Sequence, residues 1–305
     1  MRIGIIGMGG VGGYFGGKLA REYAGKGKHE IIFVCRGEHL AEIKKNGLKL
    51  FTKEGDYSVR PDLATDNPAA AGVFDLAFFS VKSYHLEKAA RDFSAGINQN
   101  TIVIPLLNGV DIAERLRKSL SAANILQGCV YISSSVAKPG TVRQTDGSCQ
   151  MLLGTDDGSA KSYQHVLDIL LEAKINAELS DKISIALWTK YILICPLAGI
   201  TAATGKTFGG VMENADLKNQ LRQMMQEVRI IAAARKVVLP ENIVEQTLDK
   251  IGRFAYDTKT SMQVDRERGN KMEIDIFTAY IRKAGRELGI PTPWHNEIFN
   301  FLSGK

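Results

Sequence analysis

Through the first 180 residues, short apolar runs alternate with stretches of helical spacing. Arg2–Ile6 is rich in isoleucine and gives way to glycines, after which YFGGKLAREY places apolar residues at helical intervals, so the chain opens with a predicted strand, tight turn and helix. Apolar strands are expected again at Glu30–Cys35, Phe74–Val81 and Thr101–Leu107. A helix is expected over Glu38–Asn46, followed by two strands, GLKLF and YSVRP, around the turn KEGD. Residues 125–153 hold strand-like pieces separated by PG and DG turns and are expected to extend the same sheet. A helix over about Ala160–Ala173 and a short strand at Ala177–Leu179 complete this half.

Beyond Ser180 the strand signal fades. Helical patterns run over Ile183–Ala203, Ala215–Arg235, Glu241–Tyr256, Lys271–Leu288 and Trp294–Leu302, punctuated by Gly205, Gly209, Gly210, Pro240, Gly289, Pro291 and Pro293. The pattern predicts an α/β chain: an N-terminal Rossmann dinucleotide-binding domain over 1–179, then an all-helical C-terminal domain over 180–305. A length of 305 residues exceeds what one core usually supports, which agrees with two domains. Substrates of such chains are expected in the cleft between the two.

Composition narrows the class. Hydrophobic and charged fractions of 45% and 24% are those of a soluble globular protein. Cys35, Cys129, Cys149 and Cys195 are scattered without a CxxC pair, so neither a metal site nor a disulfide framework is expected, and a reducing compartment fits best. The start lacks the long apolar core of a signal peptide, and by this reading no stretch reaches the ~18 apolar residues of a membrane span. A cytoplasmic chain without membrane association is expected, its oligomeric state open between monomer and homodimer. The net charge of +6 is spread among acids, with no basic block interleaved with aromatics, which argues against a nucleic-acid partner and suits a small anion.

The glycine run carries the first candidate chemistry. In GMGGVGG, Gly7, Gly9 and Gly12 fill the GxGxxG positions: one for a tight turn, one for close approach of backbone to a pyrophosphate, one for helix against strand. Gly7, Met8, Gly9, Gly10, Val11 and Gly12 are therefore the candidate cofactor turn, with the helix N-terminus offering amide hydrogens to the anion. After the second strand the first polar side chain is Arg36, where an NAD-preferring domain commonly has an acid for the ribose hydroxyl. A guanidinium pairs with a 2′-phosphate and cannot accept from a hydroxyl, so NADPH is favoured, although a loop-capping surface arginine would look the same. Lys82 and Asn108 follow two other strands, at the carboxyl edge where ligands of such sheets bind, or as ordinary loop residues.

In ALWTKYILICPLAGI the only ion is Lys190. It reads either as a snorkelling side chain or as a partly buried ammonium able to give a proton to a reacting oxygen. Within TSMQVDRERGNKMEID, Ser261 precedes a glycine-containing turn, and Glu273 is expected on the helix that starts just after it. By residue type alone they are a cap-like serine and a surface glutamate.

Taken in order, GMGGVG, VCRG, SVK at Lys82, LLNG at Asn108, WTK at Lys190, the pieces around Ser261, Asp265 and Glu273, and RELGIPTP resemble the ketopantoate reductase (2-dehydropantoate 2-reductase) family over nearly the whole chain. The resemblance implies a helical domain of the 6-phosphogluconate dehydrogenase-like type and hydride transfer from NADPH to the C2 carbonyl of a small-molecule 2-oxo acid in pantothenate biosynthesis. It implies Lys190 as general acid, Glu273 positioning and charge-balancing that lysine, Ser261 bonding substrate, and Lys82 and Asn108 at the junction of cofactor and substrate. A nearby carboxylate favours the protonated lysine against the effect of burial. The chain departs from the family where it places asparagines four and eight residues after the lysine: here stand Ile194 and Ala198. Those apolar residues keep open a reductase of a different 2-oxo acid, or a non-catalytic NADPH-binding sensor.

Overall fold

Five residues, Arg2–Ile6, form β1 of a six-stranded sheet whose remaining strands are β2 (Glu30–Val34) and, further along the chain, Leu63–Thr65, Leu76–Phe79, Ile102–Pro105 and Asn124–Ile125. Two strands of another sheet intervene, so in chain order β3 is Leu48–Thr52, β4 Gly55–Val59, β5 Leu63–Thr65, β6 Leu76–Phe79, β7 Ile102–Pro105 and β8 Asn124–Ile125. The strand order is β5-β2-β1-β6-β7-β8 and every pairing is parallel. The order reverses between β1 and β6, which makes the end of β1 the topological switch point. Continuous burial of β6 and β7 fits strands covered on both faces. Helices α1 (Gly10–Tyr23), α2 (Gly37–Asn46), α3 (Pro68–Ala71), α4 (Leu86–Asp92) and α5 (Ile112–Ser119) connect them. The computed structural model describes residues 1–304, except for the side chain of Asp146.

Apart from Ile125, which ends β8, residues 125–153 do not extend this sheet, contrary to expectation. They form a long hairpin, β9 (Gln127–Lys138) and β10 (Thr141–Gly154), in a second sheet ordered β11-β10-β3-β4 with β9 paired to β10. Helix α6 (Gln164–Glu172) precedes β11 (Ala177–Ser180). The PG pair does make the hairpin turn. The DG pair is instead a bulge inside β10, where register shifts at Asp146 and left-handed backbone at Gly147 (φ +94°) and Cys149 (φ +53°) absorb the extra residues.

What requires two sheets is α1. Its Gly16 faces Ile5 and Phe33 of the first sheet, while a Cβ on Gly13 would lie 2.5 Å from Val142 of β10 and one on Gly17 2.9 Å from Leu50 of β3. Glycines on both sides let the two sheets close on a single helix. Even Lys18 is buried, its ammonium bonding the Glu54 carboxylate at 2.8 Å and the Lys174 carbonyl at 2.7 Å.

The chain divides into two compact units, Met1–Ile183 and Ser184–Lys305. In the second, all regular elements of the described residues are helical: the rest of α7 (Ile183–Thr204), then α8 (Phe208–Glu213), α9 (Ala215–Ala234), α10 (Ile243–Ile251), α11 (Ser261–Glu267), α12 (Thr278–Leu288) and α13 (Pro293–Ser303). Helix α9 packs against α8, α10, α12 and α13. Its Glu227 caps α13 by accepting from the Trp294 and His295 amides, and its carboxylate also meets the buried His295 Nδ1 at 2.6 Å. Burial holds His295 below the ordinary imidazole range despite that carboxylate, so the ring is a neutral Nδ1 donor whose Nε2 faces the Cys195 thiol at 3.6 Å.

Two expectations need correcting here. Helix α7 is long and apolar enough to cross a membrane by length and composition, but 56% of its most apolar window is buried inside the protein, the behaviour of a core helix. The helix expected from Lys271 begins only at Thr278, after a single 3₁₀ turn at Ile274–Ile276. The break has a visible cause: the Tyr191 hydroxyl of α7 donates to the Ile276 carbonyl at 2.7 Å and lies 3.2 Å from that of Phe277, whose backbone (φ −111°, ψ −109°) is far from helical.

Gly13→Ala is expected to lower stability by a net ~1–2 kcal/mol, because overpacking against Val142 outweighs the helix preference of alanine. The check is the urea midpoint at unchanged slope; an unchanged or higher midpoint would show that the sheets can yield.

Candidate active site

The turn after β1 separates its glycines by task. Gly7 is left-handed (φ +102°), and a Cβ there would lie 2.8 Å from the Ser80 and Val81 backbone. A Cβ on Gly12 would overlap the Gly7 carbonyl, which also accepts a 2.7 Å bond from the Ser80 hydroxyl. Gly9 has nothing within 4 Å of its would-be Cβ, and it is the N-cap of α1 without any side chain to satisfy the helix's first amides. Open space in front of unpaired N-terminal amides is what a pyrophosphate would fill. The residues present fit a dinucleotide. Met8 is buried in the core, so only its backbone is available to a ligand, whereas Val11 is half-buried.

Sequence reasoning missed Ser134. A Cβ on Gly10 would strike the Ser134 carbonyl of β9, and the Ser134 hydroxyl is buried without a hydrogen-bond partner. A serine run inside a strand was the available signal, but nothing local says that β9 returns to the first helix.

Arg36 follows β2, Lys82 follows β6 and Asn108 follows β7. With β2, β1, β6 and β7 adjacent and parallel, all three stand with the glycine turn at the carboxyl edge of one sheet. Arg36 is exposed and extended at the start of α2, its guanidinium 3.2 Å from His85 Nε2, which must accept because arginine only donates. Lys82 is half-buried and opens the 3₁₀ turn Ser83–His85. Asn108 is half-buried before Gly109, whose φ of +110° turns the chain away.

The remaining candidates lie in the second unit. Lys190 is half-buried on α7, between the buried Trp188 and Tyr191. One turn further, Ile194 is half-buried. Ala198 is 1% exposed, so of the two apolar replacements only Ile194 presents surface. Ser261 is not the cap of α11. Thr260 is, accepting from the Gln263 amide at 3.1 Å and pairing with Thr201 at 2.8 Å, which leaves Ser261 exposed in the first turn. Glu273 is neither on a helix nor at the surface: it sits just before the 3₁₀ turn and is 8% exposed. A carboxylate so buried is seldom a solvated face. Through Tyr191, the segment that follows it is bonded to the helix that carries Lys190.

A glycine turn at the switch point of a parallel sheet, followed along the chain by a helical unit bearing a half-buried lysine, is the architecture of a dinucleotide-binding domain joined to a helical domain. The chain belongs to the ketopantoate reductase PanE/ApbA family: the family's N-terminal profile matches residues 3–158 and its C-terminal profile residues 182–305. It is similar to the 2-dehydropantoate 2-reductase of Mesorhizobium japonicum, 27% identical over 96% of this chain and 94% of that one. It is also similar to a crystal structure of a PanE/ApbA family ketopantoate reductase from Ralstonia eutropha JMP134, at 31% identity and a TM-score of 0.89 over 98% and 96% of the two chains. D-mandelate dehydrogenase, in a ternary structure with NADH and anilino(oxo)acetate, shares the fold alone: 22% identity, TM-score 0.88, 100% and 98% coverage.

Gly9→Ala is expected to weaken binding of a reduced nicotinamide dinucleotide by about tenfold or more, because the methyl group takes the ligand's space. The cost to stability should stay within ~1 kcal/mol, since nothing in the protein opposes the methyl group. Fluorescence titration beside a thermal melt checks both; binding unchanged would remove Gly9 from the site.

Proposed function

We propose that the protein reduces the C2 carbonyl of ketopantoate with NADPH, giving pantoate. The observation that carries this reading is Lys190, a half-buried ammonium on an otherwise apolar stretch of α7, in a chain matched by both halves of the ketopantoate reductase family. The reduced nicotinamide, when bound, supplies a hydride to the carbonyl carbon. Lys190 stabilises the negative charge growing on the carbonyl oxygen and then gives it a proton, so that C=O becomes CH–OH. Glu273 favours the charged lysine, Ser261 hydrogen-bonds the substrate, and Lys82 and Asn108 hold cofactor and substrate at the sheet edge.

NADPH rather than NADH rests on Arg36. The fold does not decide between them, as the NADH of the D-mandelate dehydrogenase structure illustrates. An exposed guanidinium at the end of β2 supports a 2′-phosphate, to which it can make two charge-assisted bonds. A second reading is favoured by Ile194: an apolar side chain one turn from the lysine suits a 2-oxo acid with a branched or aromatic tail in place of a hydroxyl.

Arg36→Ala is expected to raise the Kd of NADPH about 10–100-fold, the worth of one or two charge-assisted bonds, and that of NADH less than about threefold. Equal losses would refute the 2′-phosphate role. Lys190→Ala is expected to lower kcat at least about a hundredfold with NADPH binding intact. Both are read in an NADPH oxidation assay offering ketopantoate beside branched and aromatic 2-oxo acids. Preference for one of the latter selects the second reading, and no turnover with any selects a sensor.

A further inference from the structure

We infer that Tyr191 is a positioning residue for the proton donor: its hydroxyl holds the Ile276–Phe277 backbone on α7 and thereby sets where Glu273 stands relative to Lys190. The inference rests on the reading of Lys190 and Glu273 given above.

Tyr191 and Lys190 are consecutive residues of one helical turn, so whatever fixes Tyr191 to a neighbouring segment fixes that segment in the frame of Lys190. The fixing is by a polar bond inside the core. Tyr191 is 1% exposed, Ile276 and Phe277 are equally buried, and the hydroxyl donates at 2.7 Å to Ile276 with Phe277 as second acceptor at 3.2 Å. The ring is also located on several sides: stacked on Phe277 at 6.4 Å, and edge-on to Trp188 at 5.7 Å and Tyr280 at 6.0 Å.

The bond changes the course of the chain. The spacing of Lys271–Leu288 is helical throughout, and a helix from Lys271 would commit the Ile276 carbonyl to the Tyr280 amide. In the structure the Tyr280 amide bonds Phe277 instead, at 3.0 Å, and Ile276 is taken by the tyrosine. Glu273, three residues upstream, is thereby kept out of a helix that its own sequence favours. Without the hydroxyl, the buried Ile276 carbonyl loses its donor while that of Phe277 keeps the Tyr280 amide, and the remedy closest to hand is to extend α12 backwards, which rotates Glu273 away.

Tyr191→Phe keeps the ring and removes the bond. It is expected to lower kcat about tenfold, the equivalent of one ordinary hydrogen bond, with KM changed less than about threefold. The basic limb of the kcat–pH profile should move to lower pH, because a lysine with a displaced carboxylate loses its proton more readily. In the Glu273→Gln background the same change should have no further effect on kcat. A structural role alone would lower the melting temperature while leaving kcat per folded molecule and the pH limb in place; that result, or effects additive with Glu273→Gln, overturns the inference. Phe277→Ala gives a second test should Tyr191→Phe fail to fold: it removes the stacked ring but leaves both carbonyls, so the limb should stay where it is, and a shifted limb would assign the positioning to packing. If Lys190→Ala and Glu273→Gln each leave turnover intact, the reading of the proton donor falls first and this inference falls with it.

Discussion

The first unit depends on one helix being thin enough to lie between two sheets. Along α1, Gly12 and Gly16 approach the parallel sheet while Gly13 and Gly17 approach the second, and the helix is buried on nearly every side. A glycine costs a helix roughly 1 kcal/mol against alanine, so four of them in six residues are a considerable local penalty. The return is close contact between α1 and β1, β3 and β10. It is also the geometry of the turn: with Gly12 against the Gly7 carbonyl and Gly10 against Ser134, the open side is left at Gly9. The same glycines that satisfy a packing problem leave one opening of the right chemistry for an anion.

This explains which parts of the fold were legible in the sequence. Strand, glycine turn and helix at the start are local patterns, and each local preference agrees with the final structure. The placement of Arg36, Lys82 and Asn108 was legible because it needs only the rule that parallel strands share a carboxyl edge. The second sheet was not legible. Whether β9 and β10 continue the first sheet or form another depends on what fits against α1, and the pattern of alternation is identical in both cases. The DG pair misled for a related reason: a residue pair that tolerates left-handed backbone serves a turn or a bulge equally well, and here the chain on both sides of it pairs with the same strand, β9, which makes it a bulge.

In the second unit the misreadings share a cause too. Thr260 rather than Ser261 caps α11 and is bonded to Thr201 of α7, and Glu273 lies outside the expected helix, three residues before an Ile276 carbonyl bonded to Tyr191 of α7. Both are side-chain bonds between segments some 60 and 85 residues apart, and no window of sequence contains both partners. Periodicity reads the backbone's own preferences; it is blind to a distant donor that offers a carbonyl a better partner. Helix α7 therefore does more than carry Lys190. Its polar residues, few as they are, decide how the segments bearing the other candidate residues run.

That has a bearing on the substrate. The two positions where the resemblance leads one to expect asparagine differ in their surroundings: Ala198 is closed off by packing, whereas Ile194, one turn from Lys190, is only half-buried. A buried alanine contributes to selectivity only through the shape of what packs around it, whereas a half-buried isoleucine at a substrate site would act directly, by refusing a hydroxyl the hydrogen bond it loses on leaving water. In the proposed reaction the proton donor is Lys190 with Glu273, and neither is asked to recognise the tail of the 2-oxo acid. On that proposal reaction and specificity fall to neighbouring turns of one helix, and a change at Ile194 would redirect the second while leaving the bond from Tyr191 to the Ile276 carbonyl in place.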